Sequence, residues 1–268
     1  MFDVHSHLNF KAFEQDEEEV IRRSFREGLS GIINIGSNFA TSQKAINIAQ
    51  RYKNCWAAVG LHPIHIHSHK QSSNFYSPKY YLLIEKNKKY IKAIGETGLD
   101  FYHSKNEDIK YQKEVFLAHL DMAKKFNLPV ILHCRGSKDK PKDAYLKILE
   151  ILKKYKNLPQ GEIHCFSADF DIAQEFLNLG FYIGFTGVIT FENADKDVLE
   201  TIKKMPLSKI LAETDCPFLT PEPYRGKRNE PHYVRLVVEK ISQIKNLSFR
   251  NTEKNIDDNA KRLFNLRA

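Results

Sequence analysis

The sequence predicts an α/β protein, a closed (β/α)₈ barrel of the TIM type, on three observations. Short apolar, β-branched runs recur along the chain. Amphipathic stretches separate them, and imidazoles and carboxylates gather where the runs end. At 268 residues the chain has the length at which such barrels form a single domain, and residues 1–268 read as one, with no linker, repeat or low-complexity tract dividing them.

The predicted strands are Phe2–His5, Gly31–Ile35, Cys55–Gly60, Ile91–Glu96, Pro129–Cys134, Gly161–Cys165, Phe181–Phe185 and Lys209–Thr214. Predicted helices cover Glu17–Glu27, Ser42–Tyr52, Pro78–Lys89, Asp108–Phe126, Lys142–Tyr155, Asp171–Leu179, Lys196–Lys204, Pro231–Ile244 and Thr252–Leu266. In Asp108–Phe126, Val115, Leu117, Leu120 and Met122 supply apolar positions near helical spacing. Asn127 can cap this helix, and Pro129 disfavours helix at the residue before it. The loop His65–Asn74 is polar; its His65, His67 and His69 form an HxHxH pattern that we read as solvent-exposed.

Composition excludes several classes. Hydrophobic residues make up 42% and charged residues 28%, which suits a globular core rather than a disordered or membrane chain. No apolar run approaches the ~20 residues of a spanning helix. The chain opens directly on Phe2-Asp3-Val4-His5, a strand rather than a basic-then-apolar leader, so a cytoplasmic protein is expected, with a monomer as the default. Cys55, Cys134, Cys165 and Cys216 form no CxxC pair and read as small buried hydrophobes. The net charge of +8 favours an anionic partner, nucleic acid first, although lysines on solvated helix faces account for it equally.

The chemistry lies after the strands. Alternate side chains of an extended strand share a face, so Asp3, His5 and His7 point together. Later runs lead into Gly60-Leu61-His62-Pro63, Gly95-Glu96-Thr97-Gly98-Leu99-Asp100, His133-Cys134-Arg135, His164-Cys165-Phe166 and Glu213-Thr214-Asp215-Cys216-Pro217. Barrel active sites assemble at the C-terminal strand ends. Four histidines, a Glu and an Asp from five strands can hold two divalent ions there, with a carboxylate bridging them. Any one of these elements is common by chance; Glu213 and Asp3 could equally be buried, hydrogen-bonded carboxylates. Their coincidence at successive strand ends is what points to a metal site.

In the order and spacing of HxH, GLHP, GETGLD, HCR, HCF, ETDCP and the Gly226–Pro231 GKRNEP segment, the chain resembles the TatD family of metal-dependent deoxyribonucleases, a branch of the metallo-dependent hydrolase-like barrels. The resemblance spans nearly the whole chain. It implies that His5, His7, Glu96 and Asp215 hold one metal and that Glu96 bridges to a second held by His133 and His164. It places His62 and Arg135 at a substrate phosphate, and Tyr224, Arg225 and Arg228 in a basic loop beside the mouth. One departure is Ile64, where the family often has a further histidine. The implied reaction is cleavage of DNA, from the 3′ end, by a metal-activated water whose proton passes to Asp215. Mg²⁺ is the implied activator, while imidazole-rich ligation also suits Zn²⁺ or Mn²⁺. RNA or tRNA are further substrates to consider. Two rivals stand: an ester or amide hydrolase on the same barrel, such as a D-aminoacyl-tRNA deacylase, and a non-catalytic nucleic-acid-binding barrel. Retention of all six ligands counts against the second.

Overall fold

A computed structural model describes residues 1–66, 78–104 and 108–266, so His67 and His69 lie outside the described residues. Eight parallel strands lie in chain order: β1 Phe2–Ser6, β2 Gly31–Ile35, β3 Cys55–Val59, β4 Ile91–Asp100, β5 Val130–Arg135, β6 Gly161–Ile163, β7 Tyr182–Phe185 and β8 Ile210–Ala212. Seven ladders join them, and the seam between β8 and β1 is stitched differently. A parallel bridge pairs Ser6 with Cys216, and Asp215 N donates to His5 O at 2.8 Å. Further along the seam, Asp3 stands in for the missing ladder: its carboxylate accepts from Thr214 N at 2.9 Å and Thr214 Oγ1 at 2.6 Å. Burial pushes the Asp3 carboxyl up to about 8 against those bonds. Asp3 is thus a seam residue of a nearly closed barrel.

The helices follow the expected alternation: Glu17–Arg26, Phe39–Arg51, Pro78–Asn87, Asp108–Phe126, Asp143–Lys154, Phe170–Asn178, Lys196–Lys204, Val234–Lys245 and Phe249–Phe264. Two start earlier than their apolar spacing suggests because polar caps lie upstream. Asn38 and Thr41 form a capping box before Phe39, and Ser248 Oγ accepts from Asn251 N before Phe249. Asn127 takes the left-handed conformation, φ 53°, that ends Asp108–Phe126.

Phe2, Val4, Ile33, Ile35, Ala58, Ala93, Ile131, Tyr182 and Leu211 form one apolar cluster. Residues from seven different strands can meet only inside the barrel. Ala260, Leu263, Phe264 and Leu266 join that cluster, and Phe2 N donates to Asp257 Oδ1 at 3.0 Å. The last helix therefore plugs the N-terminal end of the barrel, leaving the C-terminal end open. Cys55, Cys134 and Cys216 are buried and Cys165 half-buried, and burial pushes their thiols up, Cys165 to about 11. No helix among the described residues is long and apolar enough to cross a membrane.

Candidate metal centre

At the open end the strand termini bring the histidines onto two carboxylates. Asp215 Oδ1 faces three imidazole Nε2 atoms: His7 at 3.2 Å, His5 at 3.8 Å and His164 at 3.9 Å. Glu96 works in both directions. Its Oε2 lies 3.4 Å from His5 Nε2, while its Oε1 lies 3.0 Å from His133 Nδ1 and 3.3 Å from His62 Nε2. Asp215 and Cys165 adopt left-handed backbone, φ 55° and 46°, as the chain turns out of β8 and β6. The expected strands run on to Cys165 and Thr214; in the structure β6 and β8 stop at Ile163 and Ala212, so His164, Glu213 and Asp215 project from the first loop residues.

Hydrogen bonds sort the rings by free nitrogen. His7 Nδ1 meets the Ile35 carbonyl at 3.0 Å; a carbonyl only accepts, so Nδ1 carries the proton and Nε2 keeps its lone pair. His164 Nδ1 donates to Glu213 Oε2 at 2.9 Å and its Nε2 points toward Asp215; burial opposes a charge on this ring, but Glu213, Glu96 and Asp215 hold its pKa well above the usual imidazole value. His62 is wired the opposite way: its Nδ1 accepts from Ile64 N at 3.1 Å, so the proton sits on Nε2, facing Glu96. His133 lies between two carboxylates, Nδ1 on Glu96 and Nε2 on Asp100 at 3.1 Å, which suits an imidazolium donating twice. His119 gives the contrast of a satisfied structural ring, bonded to Val115 O at 2.7 Å and to Leu61 N at 2.9 Å.

The charges follow. Burial alone would push Glu96 up, but His62, His133, His164 and His5 around it hold the carboxyl well below the usual range. Burial likewise opposes ionisation of Asp215, yet His7, His164 and His5 hold it low. His133 is held up at about 9, burial being outweighed by its bonds to Asp100 and Glu96; burial brings His62 down to about 4. His5 is the exception. It is fully buried, and neither ring nitrogen has a hydrogen-bond partner. An unsatisfied buried polar group costs about 1–3 kcal/mol. A cation between His5, Glu96 and Asp215 would satisfy His5 Nε2, and the donors of His5, His7 and Asp215 all lie within 4.8 Å of one another. The donor set thus fits a divalent ion.

A cleft of about 950 Å³ opens above the cluster, lined by His7, His62, Glu96, His133, Arg135, His164 and Asp215, with Phe10, Lys11, Lys44 and Phe218. His65 also lines it, half-buried with its ring 6.4 Å from His62, rather than standing in solvent. Arg135 is exposed at the cleft, its guanidinium 5.1 Å over Tyr102. Three residues of the expected basic loop do not line the cleft. Tyr224 stacks on Tyr233 at 4.7 Å, Arg225 lies 4.1 Å over Phe191, and Arg228 binds both oxygens of Asp16, at 2.8 and 2.6 Å. Sequence reasoning did not single out Asp100, which orients His133, or His103, whose Nδ1 lies 3.0 Å from Asp100 Oδ2. Asp100 shares strand parity with Glu96, a signal that was present in GETGLD.

A family model described as TatD related DNase matches residues 2–265. The chain belongs to the TatD family. A metal-dependent hydrolase of Bacillus subtilis, YabD, is 38% identical over 99% of both chains. A protein of Escherichia fergusonii named 3′-5′ ssDNA/RNA exonuclease TatD is 31% identical, again over 99% of both. Among solved structures, the Escherichia coli TatD homologue YJJV superposes with a TM-score of 0.86 at 28% identity, covering 100% of this chain and 98% of that one. An organophosphorus hydrolase of Deinococcus radiodurans shares the fold at 13% identity, with a TM-score of 0.67 over 98% of this chain and 92% of its own. As a TatD protein the chain is an enzyme, a metal-dependent hydrolase of ester bonds.

Proposed function

We propose that this TatD protein is a deoxyribonuclease that shortens single-stranded DNA from the 3′ end, with RNA as a second substrate. The observation that carries the two-metal reading is Glu96, one oxygen facing His5 and the other facing His133. The nuclease reading draws on relatives named as 3′-5′ ssDNA/RNA exonucleases at about one-third identity along the whole chain. His5, His7, Glu96 and Asp215 would hold one ion; Glu96, His133 and His164 would hold a second. Mg²⁺ is the ion proposed for turnover. When bound, the ions supply Lewis acidity toward a phosphodiester oxygen and acidify a water.

The chain's own residues do the rest. Asp215 is ionised at neutral pH, since its imidazole neighbours hold its pKa down, and it takes the proton released by the attacking water. His62 offers an Nε2–H, and Arg135 a guanidinium at the cleft, to the phosphate oxygens on which charge builds. Asp100 and Glu213 fix the orientation of His133 and His164. Asp215→Asn keeps the shape and removes the acceptor, so cleavage of labelled single-stranded DNA with Mg²⁺ should fall by about 10²–10⁴ in a variant with an unchanged circular dichroism spectrum. Wild-type turnover in that variant would remove Asp215 from the reaction.

A further inference from the structure

A second cavity, about 250 Å³, opens beside the metal cleft, and Arg135, Cys165, Ser167 and Leu219 line both. Its volume falls below the roughly 300–1,000 Å³ of sites that enclose a drug-sized ligand, so it takes a single ring system. Val188, Ile189, Phe191 and Val198 make the lining largely apolar, and exposed Ser167 and Asn193 add hydrogen-bonding groups. Asp195 also lines it, but its carboxylate is engaged in capping the helix Lys196–Lys204 through Asp197 N at 2.8 Å.

That combination matches the chemistry of an unstacked base. A base presents a flat face to aromatic and aliphatic side chains, and a donor–acceptor edge to amides and hydroxyls. Asn193 can donate and accept along such an edge. Arg225 lies outside the lining and braces both recognition groups: its guanidinium covers the Phe191 ring at 4.1 Å and donates to Asn193 Oδ1 at 3.4 Å. This gives Arg225 a positioning role away from the cleft itself. Arg135 lines both spaces and stands at their junction.

We propose that the side cavity is the nucleobase pocket for a nucleotide flanking the scissile phosphodiester, with Phe191 as stacking face and Asn193 reading the base edge. The proposal rests on the nuclease reading above. The test compares three short single-stranded oligodeoxynucleotides, cleaved by the full chain with Mg²⁺: one intact, one with a tetrahydrofuran abasic residue at the 3′ terminus, and one with it at the adjacent position. The wild type should cleave one of the abasic substrates about tenfold more slowly, the scale set by a single base–aromatic stack. Ala194→Phe fills the cavity and should reduce that ratio to near one. Asn193→Ala, at an exposed position that does not endanger folding, should change the order of preference among terminal bases. Equal cleavage of all three substrates by the wild type, with both variants behaving likewise, would overturn the pocket and leave the nuclease reading standing. No cleavage of any substrate by the wild type would overturn both.

Discussion

His62 and His164 flank different carboxylates of the cluster, Glu96 and Asp215, and are wired oppositely. The Ile64 amide fixes the His62 proton on Nε2, whereas Glu213 accepts from His164 Nδ1 and so makes Nε2 the nitrogen that a metal would take. His62→Ala should therefore retain bound metal and lose turnover, while His164→Ala should lose metal. Manganese content after gel filtration, read beside the cleavage rate, checks this; metal loss in His62→Ala would contradict it. His133 sets a pH dependence. Its metal-free pKa of about 9 means that the ring is protonated at neutral pH, and a metal that takes either nitrogen must expel a proton. Manganese binding should release protons below about pH 9 and tighten as pH rises toward it. Folding runs the other way. The stability that this raised pKa gives the metal-free protein is complete below the unfolded value of 6.5 and is lost as pH passes about 9. Titrations in buffers of different ionisation enthalpy, with denaturation across the same range, measure both slopes. The clustered histidines and carboxylates were legible because strand alternation and strand ends are sequence properties. The tautomers, and the parts of Asp100 and Glu213, were not, because each depends on which hydrogen-bond partner the folded backbone brings to the ring.

At the scale of the elements, the ends of β6, β7 and β8 act as one unit. Glu213 accepts from Cys165 N at 2.6 Å as well as from His164, and it is packed against Gly184 of β7. A Cβ on Gly184 would meet Glu213 Oε1 at 2.5 Å. Gly184→Ala should therefore displace Glu213, loosen His164 and weaken metal binding by about 10–100-fold, the range found when such supporting groups are altered. Isothermal titration with Mn²⁺ checks it; unchanged affinity would mean that Glu213 does not support the site. Gly98 has a related part between β4 and β5, at φ 137° with His133 O 2.1 Å from where a Cβ would stand. The strands were legible from apolar runs bounded by turn residues. The truncation of β6 and β8 was not, since the neighbouring strands decide where a ladder stops. Helix starts were displaced for a comparable reason: apolar spacing marks the packed turns, and the Asn38 and Ser248 caps lie outside that period.

The whole molecule separates its tasks by end. The last helix seals the N-terminal end with Leu263 and Phe264, and the Asp3–Thr214 bonds stitch the seam, while the ligands, the cleft and the side cavity occupy the C-terminal end. The barrel was legible because strand–helix alternation repeated eight times leaves few alternatives. The fate of the GKRNEP segment was not. Arg228 there was expected near substrate, and the structure instead pairs it with Asp16 and Glu230. Nothing local to the sequence reveals a partner 212 residues away. The barrel alone does not choose among ester bonds, so the central claim is tested on substrate. The same purified protein should be given 5′-labelled single-stranded DNA and, separately, a misacylated tRNA, each with Mg²⁺, Mn²⁺, Zn²⁺ or chelator. The DNA should shorten progressively from its 3′ end, most strongly with Mg²⁺ and not at all with chelator, and the aminoacyl ester should stay intact. Chelator-sensitive loss of the ester with undegraded DNA would contradict the central claim.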